Sequence, residues 1–519
     1  MFADALKRHW FPLALAGGMI LFELAVIALL TFGQPPGFRW TGGTLQSPDD
    51  AAYYLAEIRE GELLIRNPHA VEPHARRFDL VWSTLALTHR LTGASPVLLQ
   101  ELARFAFTVL LGFAIYGAAR SVAANEADAR LGALLATGGI GLGWLHTVLL
   151  GLTGVIGPAA PDVSREFAVA PLILGGSHLI LSTALLLIAV RGAWKDVHDR
   201  MRVSWQTIVA SFLLTIFHPY FLPLIAAIIF VAWMKQLARR PARREAHRPA
   251  LILGLCLVPA ALAYGWLFRD DVFAAKSLQN VVTFGSASGW LFALLPAFVA
   301  LGWIVSSQDR DDKPFHAARW CIVWLGAAFV LMLALPVPWR GKLLEGLMIP
   351  IALLTLPAWI AFFKWIPKPA SIATLVFMVG ATPLLLFSSH LRWLADPARA
   401  TTLRQPDAAF HAWEFLDQEE SVVILADDRK LDLWSPAWAN AIAWLGHPAE
   451  TPGYASKQAL RNRLFATDDP EEARTLINAT PVSHLLLSSP ASTNRIQALL
   501  GDSWDKVFEK NGFILLRRD

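Results

Sequence analysis

Charged side chains are scarce in this chain of 519 residues. Only 17% of its residues are Asp, Glu, Lys or Arg, whereas 55% are hydrophobic and the mean hydropathy is +0.45. A soluble globular domain carries about 25% charged residues. Because so little polar surface cannot cover a chain of this size in water, the composition excludes a wholly soluble protein and indicates that lipid covers part of it. The 21 tryptophans agree, since indole rings favour the membrane–water interface.

Cysteine is nearly absent as well. The two cysteines, Cys256 and Cys321, lie in apolar runs, so we expect small buried side chains and no disulfide framework. The formal net charge is +4, and no polar segment carries the basic stripe that binds nucleic acid, so we expect no nucleic-acid partner. The sequence also shows no internal repeat of fixed period and no low-complexity tract.

Apolar runs of membrane-spanning length dominate the first three quarters of the chain. A spanning helix needs roughly 20 apolar residues. The first run follows Lys7 and Arg8 and has no cleavage site after it, which indicates a retained helix and not a signal peptide. The stretch 205–234 is interrupted at His218-Pro219-Tyr220, and because proline breaks helices, we interpret it as two short ones. The sequence thus predicts about eleven spans, at 11–32, 98–119, 130–150, 172–190, 205–217, 220–234, 250–267, 289–306, 319–336, 345–363 and 371–388.

Basic residues between these runs predict the orientation in the inner membrane. Cytoplasmic loops are enriched in Lys and Arg, and topology is the simplest role of such residues. Five basic segments fall on one side if 205–234 is a hairpin: Lys7–Arg8, Arg191–Arg202, 235–248, Lys313 with Arg319, and Lys364 with Lys368. We therefore expect a cytoplasmic N-terminus. The opposite, periplasmic or extracellular side then receives a long first loop (33–97), the loop 151–171, the 218–220 corner, the loop 268–288, a short loop around Arg340, and the C-terminal tail.

The tail has a different character from the rest of the chain. Its short apolar runs, SVVILADD (421–428), SHLLLSS (483–489) and GFILLRR (512–518), are typical of buried strands. Helical patterns at 469–479 and 493–501 lie between or beside them. Because strands that alternate with helices indicate an α/β arrangement, we predict a transmembrane domain over 1–388 and a small α/β domain outside the membrane over 389–519.

Two adjacent carboxylates, Asp49 and Asp50, are the strongest catalytic candidates in the first outer loop. At the membrane surface such a pair is suited to act as a general base or to bind a divalent metal. The alternative is structural, because Ser47 or Asp49 can cap a helix and acidic residues are favoured at its start. Successive residues on a helix point about 100° apart, so only one of the two is expected to face a reaction centre. We give Asp49 a slight preference because it lies next to the turn at Pro48.

Four further polar residues are acceptor-binding or metal-binding candidates. Asp162 and Glu166 lie one helical turn apart and either present two carboxylates on one face or belong to a solvated loop. His178 lies within the predicted span 172–190, where an ionisable group is either functional or hydrogen-bonded to a neighbouring helix. His218 lies at the proline break on the outer side, which makes it the better histidine candidate.

Arg340 and Lys342 are unusual because they lie in a short outer loop, PVPWRGK, where positive-inside statistics disfavour them. A bound phosphate would explain both, since arginine binds phosphate bidentately and lysine adds a point charge. Snorkelling of the two side chains to the interface is the alternative explanation.

The first outer loop resembles the start of the GT-C-fold glycosyltransferases. The resemblance rests on SPDDAAYYLAEIREG (47–61), the EPH segment that follows it, an interfacial helix over 79–92, and a span that opens LARFAFTVLLG. Looser similarities are GLGWL (141–145) with Asp162, Glu166 and 178–182, then WRGKLLEGLMIPIALL (339–354) and GHPAET (446–451) in the tail. These are polytopic enzymes that use polyprenyl-phosphate-linked sugars, among them bacterial mannosyl- and arabinosyltransferases.

The resemblance implies a function and a set of partners. Asp49 and Asp50 match the acidic positions of the family's first outer loop, which implies a base that activates an acceptor hydroxyl. The implied donor is a lipid-linked sugar, the reaction is a single inverting displacement, and the acceptor is a glycan, a lipid or a protein. The resemblance demands no cofactor, and a divalent metal is left open. The alternatives are a transporter or flippase of lipid-linked glycans and a non-catalytic membrane assembly protein.

Overall fold

The structure is a computed structural model that describes residues 2–43, 46, 48–72, 74, 76–153, 160–164, 167–239, 247–279, 286–306, 317–396 and 402–519. It divides into two compact units. Unit 1 comprises Met1–Val26, Leu102–Trp266 and Val281–Leu391, and unit 2 comprises Ile27–Glu101, Leu267–Asn280 and Arg392–Asp519. The predicted division into 1–388 and 389–519 stays a prediction.

Helices make up most of the described chain. In chain order they are α1 (Phe2–Phe32), α2 (Pro48–Arg59), α3 (Leu80–Thr92), α4 (Pro96–Val122), α5 (Glu126–Gly138), α6 (Gly143–Leu152), α7 (Val169–Leu172), α8 (Ser177–Trp194), α9 (Trp205–Phe217), α10 (Leu222–Arg239), α11 (His247–Leu267), α12 (Asp271–Gln279), α13 (Ala287–Ser306), α14 (Arg319–Ala334), α15 (Met348–Trp365), α16 (Lys368–Ala395), α17 (Asp407–Leu416), α18 (Arg429–Trp438), α19 (Tyr454–Ala466), α20 (Pro470–Asn478) and α21 (Pro490–Leu500).

Each of the eleven predicted spans is helical in the structure, and one of them, 130–150, comprises two helices. Eight helical segments of the described chain are long and apolar enough to cross a membrane, and the apolar helices Trp205–Phe217, Ala287–Val299 and Arg319–Ala334 are shorter. Several carry large apolar side chains on their outer face, such as Leu251 and Leu262 on α11, which are 63% and 69% exposed. Since exposed leucines at this density are stable in lipid and not in water, the chain is an integral, multi-pass membrane protein.

The structure corrects the predicted ends of three spans. The span 172–190 begins at Ser177, because Gly176 adopts an extended conformation that separates α7 from α8, so His178 lies in the first turn of this spanning helix. The span 130–150 is divided at Gly139, whose φ of 86° is accessible to glycine, into α5 and α6. The span 345–363 begins only at Met348, after a 3₁₀ helix over Pro338–Leu344.

Unit 2 contains a five-stranded mixed sheet of order β4-β3-β5-β7-β6. Its strands are β3 (Val422–Ala426), β4 (Ala441–Ala443), β5 (His484–Leu487), β6 (Trp504–Lys510) and β7 (Phe513–Arg518). β3 is parallel to both β4 and β5, whereas β7 is antiparallel to β5 and β6. The three predicted strands and the small α/β region are confirmed. A separate antiparallel pair joins β1 (Phe38–Trp40) to β2 (Arg404–Pro406).

Helix α2, from the loop that follows the first span, belongs to the hydrophobic core of this sheet. Ala52 and Leu55 are buried in one cluster with Trp413 and Trp434, and α2 packs against α18. The indole N–H of Trp413 donates to Ser435 Oγ at 2.9 Å, which satisfies its polar atom inside the core. The start of α2, where the candidate carboxylates lie, is therefore fixed to a rigid α/β scaffold.

Candidate functional site

Asp49 and Asp50 lie in the first turn of α2. The helix begins with Pro48, whose fixed φ suits the first helical position, and the helix dipole favours negative charge there. Asp49 is thus inside the helix and is not its cap, and Ser47 lies outside the described residues. The side chains of Asp49 and Asp50 are 37% and 27% exposed, so solvent or a substrate can reach both carboxylates.

Asp49 is held by an arginine from the α/β part of unit 2. Nη2 of Arg429 donates to Asp49 Oδ2 at 2.9 Å, and the guanidinium lies over the Tyr454 ring at 5.7 Å. Arg429 is the first residue of α18, directly after β3. This contact links residues 380 positions apart, so Asp49 fastens the start of α2 to the carboxyl end of a sheet strand.

Asp50 is contacted by a histidine. Nε2 of His447 lies 3.2 Å from Asp50 Oδ1, and the Ala449 backbone N–H donates to His447 Nδ1 at 3.1 Å. Because Nδ1 accepts this bond, the ring proton is on Nε2 and is donated to the aspartate. The GHPAET segment of the tail therefore orients the Asp50 carboxylate.

A buried aromatic layer lies beneath this contact. The His69 ring stacks on Tyr53 at 5.8 Å and lies 6.3 Å from the ring of His447. His69 is fully buried, and neither ring nitrogen has a hydrogen-bond partner among the described residues. Burial, reinforced by the nearby His447, holds the pKa of His69 well below its usual value of 6.5, so the ring is neutral near pH 7. Arg77 donates to the Tyr53 hydroxyl at 3.0 Å and fixes the other side of the layer.

The position of the site in the sheet follows a general rule for parallel strands. Arg429 follows β3 and His447 follows β4, so both project from the carboxyl edge of the parallel part of the sheet. From β3 the chain passes first to β4 on one side and later to β5 on the other, which makes this edge a topological switch point. Ligand sites in open α/β sheets form at such edges. Sequence reasoning noted GHPAET but missed Arg429.

Arg340 and Lys342 lie in unit 1 on the 3₁₀ helix Pro338–Leu344, which forms most of the predicted short loop PVPWRGK. Arg340 is exposed, whereas Lys342 is only 9% exposed. Neither has a carboxylate partner among the residues that the structure describes. Their segment packs on Pro219–Phe221, where the rings of Tyr220 and Trp339 are 5.2 Å apart. An ammonium group that is buried without a counter-charge is a favourable place for an anion.

The structure brings His178 and His218 together and adds a carboxylate that sequence reasoning missed. Their rings are 6.0 Å apart, and His218 Nε2 lies 3.3 Å from Glu345 Oε2. Ser182 Oγ donates to Glu345 Oε1 at 2.6 Å, and Glu345 is fully buried. An acidic residue at the start of an apolar run was the available signal, since buried charge in a membrane protein is costly and tends to be paired or functional.

The remaining predicted candidates are Asp162 and Glu166. Asp162 lies in the 3₁₀ helix Pro161–Val163, and Glu166 is outside the described residues. Within the described part of the chain, no group of three His, Cys, Asp or Glu side chains is arranged to hold a metal ion.

Comparison with solved structures decides the fold. The arabinofuranosyltransferase AftD from Mycobacteria matches 98% of this chain over 41% of its own, at 14% identity and a TM-score of 0.54. The chain has the GT-C fold. The archaeal oligosaccharyltransferase AglB from Archaeoglobus fulgidus, in complex with a dolichol-phosphate, matches 95% of this chain and 71% of its own, at 13% identity and a TM-score of 0.47. ArnT from Cupriavidus metallidurans, bound to undecaprenyl phosphate, matches 96% of this chain and 98% of its own. Its sequence identity is 12% and its TM-score is 0.45.

The GT-C fold predicted from the first outer loop is thus confirmed by AftD, whereas the scores of AglB and ArnT are too low to establish a shared fold. The chain spans less than half of AftD. No sequence profile of a known family matches it, and no curated protein matches it. The roles of individual residues in this GT-C chain therefore depend on their own geometry.

Proposed function

We propose that this protein transfers a sugar from a polyprenyl-phosphate-linked donor to an acceptor hydroxyl at the outer face of the membrane. The observation that carries the proposal is the Asp50 carboxylate, placed at the start of a rigid helix and oriented by the Nε2–H of His447 at 3.2 Å. A general base requires this kind of fixed, accessible carboxylate. The GT-C fold supports the assignment, because AftD, which shares it, is an arabinofuranosyltransferase.

Asp50 rather than Asp49 is the base in this proposal. Asp49 is ion-paired with Arg429 at 2.9 Å, and that pair holds α2 against the sheet. Asp50 is contacted by Nε2 of His447 at 3.2 Å, and this contact orients its carboxylate. As the acceptor oxygen attacks the anomeric carbon, Asp50 takes its proton, the bond from that carbon to the phosphate oxygen breaks, and the lipid phosphate leaves with the electron pair. The configuration at the anomeric carbon inverts.

Arg340 and Lys342 hold the donor phosphate in this proposal. The burial of Lys342 without a described carboxylate partner supports it, because an anion would then supply the missing charge. Positive charge beside the leaving phosphate also stabilises the transition state. The Glu345–His218 pair fixes the segment that follows Lys342 and the Pro219 corner against which it packs.

The decisive experiment measures transfer of labelled sugar from polyprenyl-phosphate donors by membranes that contain each variant. Asp50→Asn should lower the rate by about 100-fold or more, the usual contribution of a general base. Asp49→Asn should lower the transfer rate much less. Asp502→Asn, which replaces an exposed carboxylate far along the chain, serves as the matched control. Full transfer by Asp49→Asn, Asp50→Asn and the double variant would overturn the proposal, whereas loss in Asp49→Asn alone would transfer the base role to that residue.

The proposed orientation places the N-terminus in the cytoplasm and the α/β region outside. Single cysteines introduced as Ser95→Cys and Ser503→Cys, in a chain whose Cys256 and Cys321 are replaced by serine, should both react with an impermeant maleimide added to intact cells. Labelling of the two positions from opposite sides would contradict the shared face.

A further inference from the structure

A polar groove opens in unit 2 at the carboxyl end of α2. Its volume is about 580 Å³, within the range of small-ligand sites. Charged side chains line it, namely Arg59, Glu60, Glu62, Arg66, Arg76 and Asp417. Sites for drug-like molecules are mostly apolar, so a lining of this kind selects a ligand that offers many hydrogen-bonding groups.

The charges of the groove balance one another. Arg59 Nη2 lies 2.5 Å from Asp417 Oδ1, and Arg66 Nε lies 3.0 Å from Glu60 Oε1. The exposed Arg76 forms an ion pair with Glu62. Each arginine thus has its own carboxylate, and the groove offers no excess positive charge of the kind that binds a polyanion or a lipid phosphate.

The same pairs supply donors and acceptors side by side. A guanidinium presents five N–H groups, of which one carboxylate engages only one or two, and a carboxylate accepts several hydrogen bonds. A sugar hydroxyl both donates and accepts, so alternating donors and acceptors match it.

We propose that the polar groove binds an uncharged, hydroxyl-rich oligosaccharide and is an outer subsite for the acceptor. The role of this oligosaccharide as the acceptor rests on the proposed function, whereas its binding to the groove does not. Arg59 lies nine positions after Asp50 on α2, which is about 14 Å at 1.5 Å per residue. A ligand that reaches both ends of α2 must be a chain of several sugar units and not a monosaccharide or a small alcohol.

Binding is tested with the full chain in detergent on an array of neutral and acidic oligosaccharides, followed by titration of the best neutral ligand. We expect neutral glycans to bind. Arg76→Ala removes part of the lining, and Asn440→Trp fills the groove at an exposed position. Each should raise Kd at least about tenfold, the effect of losing a hydrogen bond to a charged group. Arg463→Ala is the matched control, because Arg463 and Glu472 also form a solvent-accessible ion pair elsewhere in unit 2.

Two further measurements separate this inference from the proposed function. Asp50→Asn should bind the glycan as the original protein does, even though it does not transfer sugar. Asn440→Trp should raise the KM for long acceptors, which extend into the groove. The kcat for short acceptors, which do not reach the groove, should stay unchanged. The inference would be overturned if neutral glycans still bind to both groove variants. It would also be overturned if the protein prefers acidic glycans or phosphatidylglycerol vesicles and Arg76→Ala abolishes that preference. Equal melting temperatures of the variants exclude misfolding as the cause.

Discussion

Gly446 lies directly against the imidazole of His69. A Cβ at position 446 would come 2.1 Å from His69 Nδ1. The His69 ring is fully buried and stacked on Tyr53, so it has little room to move aside. The glycine is therefore required by close packing, and it precedes the histidine that orients Asp50.

Gly446→Ala should displace His69 and, with it, His447. Overpacking of this kind costs about 1–3 kcal/mol of stability, and the rate of sugar transfer should fall further than stability alone explains. The check is a comparison with Gly453→Ala, whose Cβ would meet nothing within 4 Å; the φ of Gly453 is 63°, whereas Gly446 does not have a positive φ, so this control carries backbone strain in place of the clash. If Gly446→Ala transfers sugar as fast as Gly453→Ala does, the packing argument is wrong.

The neutral His69 should make stability depend on pH. The unfolded chain takes up a proton near the usual value of 6.5, whereas burial lowers the pKa of His69 in the folded protein. The unfolded state therefore binds more protons as the pH falls below 6.5, and the folded protein loses up to about 1.4 kcal/mol per pH unit from this group. His69→Phe retains an aromatic ring but has no titratable group. Between about pH 7.5 and pH 5.5, its melting temperature should therefore fall less than that of the original protein. An equal loss would refute the prediction.

A buried ion pair in unit 1 should be essential for stability. Arg104 Nε on α4 lies 3.1 Å from Glu23 Oε1 on α1, and both side chains are almost fully buried. Arg104→Met leaves a buried carboxylate without its cation, which costs about 3–5 kcal/mol. The melting temperature in detergent should fall sharply and recover in part when Glu23→Leu is added. Arg120→Met, in an exposed pair with Glu126, should change little.

Removal of the proposed phosphate ligands should weaken donor binding. Lys342→Met and Arg340→Met should each lower the affinity for labelled undecaprenyl phosphate by about 10- to 100-fold, the range for a hydrogen bond between charged groups. Lys364→Met, near the end of α15, is the control. Unchanged affinity in the double variant would show that the phosphate binds elsewhere.

The sequence predicted local features of this fold well and long-range contacts poorly. Apolar runs of sufficient length and the proline at 219 are local signals, and each corresponds to a helix or a helix break. The strand β4 is only three residues long, and β6 (WDKVFEK) alternates apolar and charged residues weakly, so neither produced a recognisable pattern.

The candidate site shows the same limit. The pair of adjacent carboxylates after the first span and the family resemblance pointed to Asp49 and Asp50, but their partners Arg429 and His447 are 380 and 397 residues away. Single-sequence patterns carry no information on such pairings. Glu345 was treated only as the first residue of the predicted span 345–363, and its partners could not be predicted because only the folded chain brings His218 and Ser182 beside it.

The pairing of β1 with β2 has a consequence for the biogenesis of the protein. Phe38–Trp40 leaves the ribosome early, yet its partner Arg404–Pro406 and the core residues Trp413 and Trp434 follow some 370 residues later. At about 5–20 residues per second, α2 waits roughly 20 to 80 s for the segment that completes its core. During that interval its apolar face is open to proteases and chaperones. A premature stop codon before position 404 should therefore leave a product whose first outer loop is degraded, even though its membrane helices are inserted.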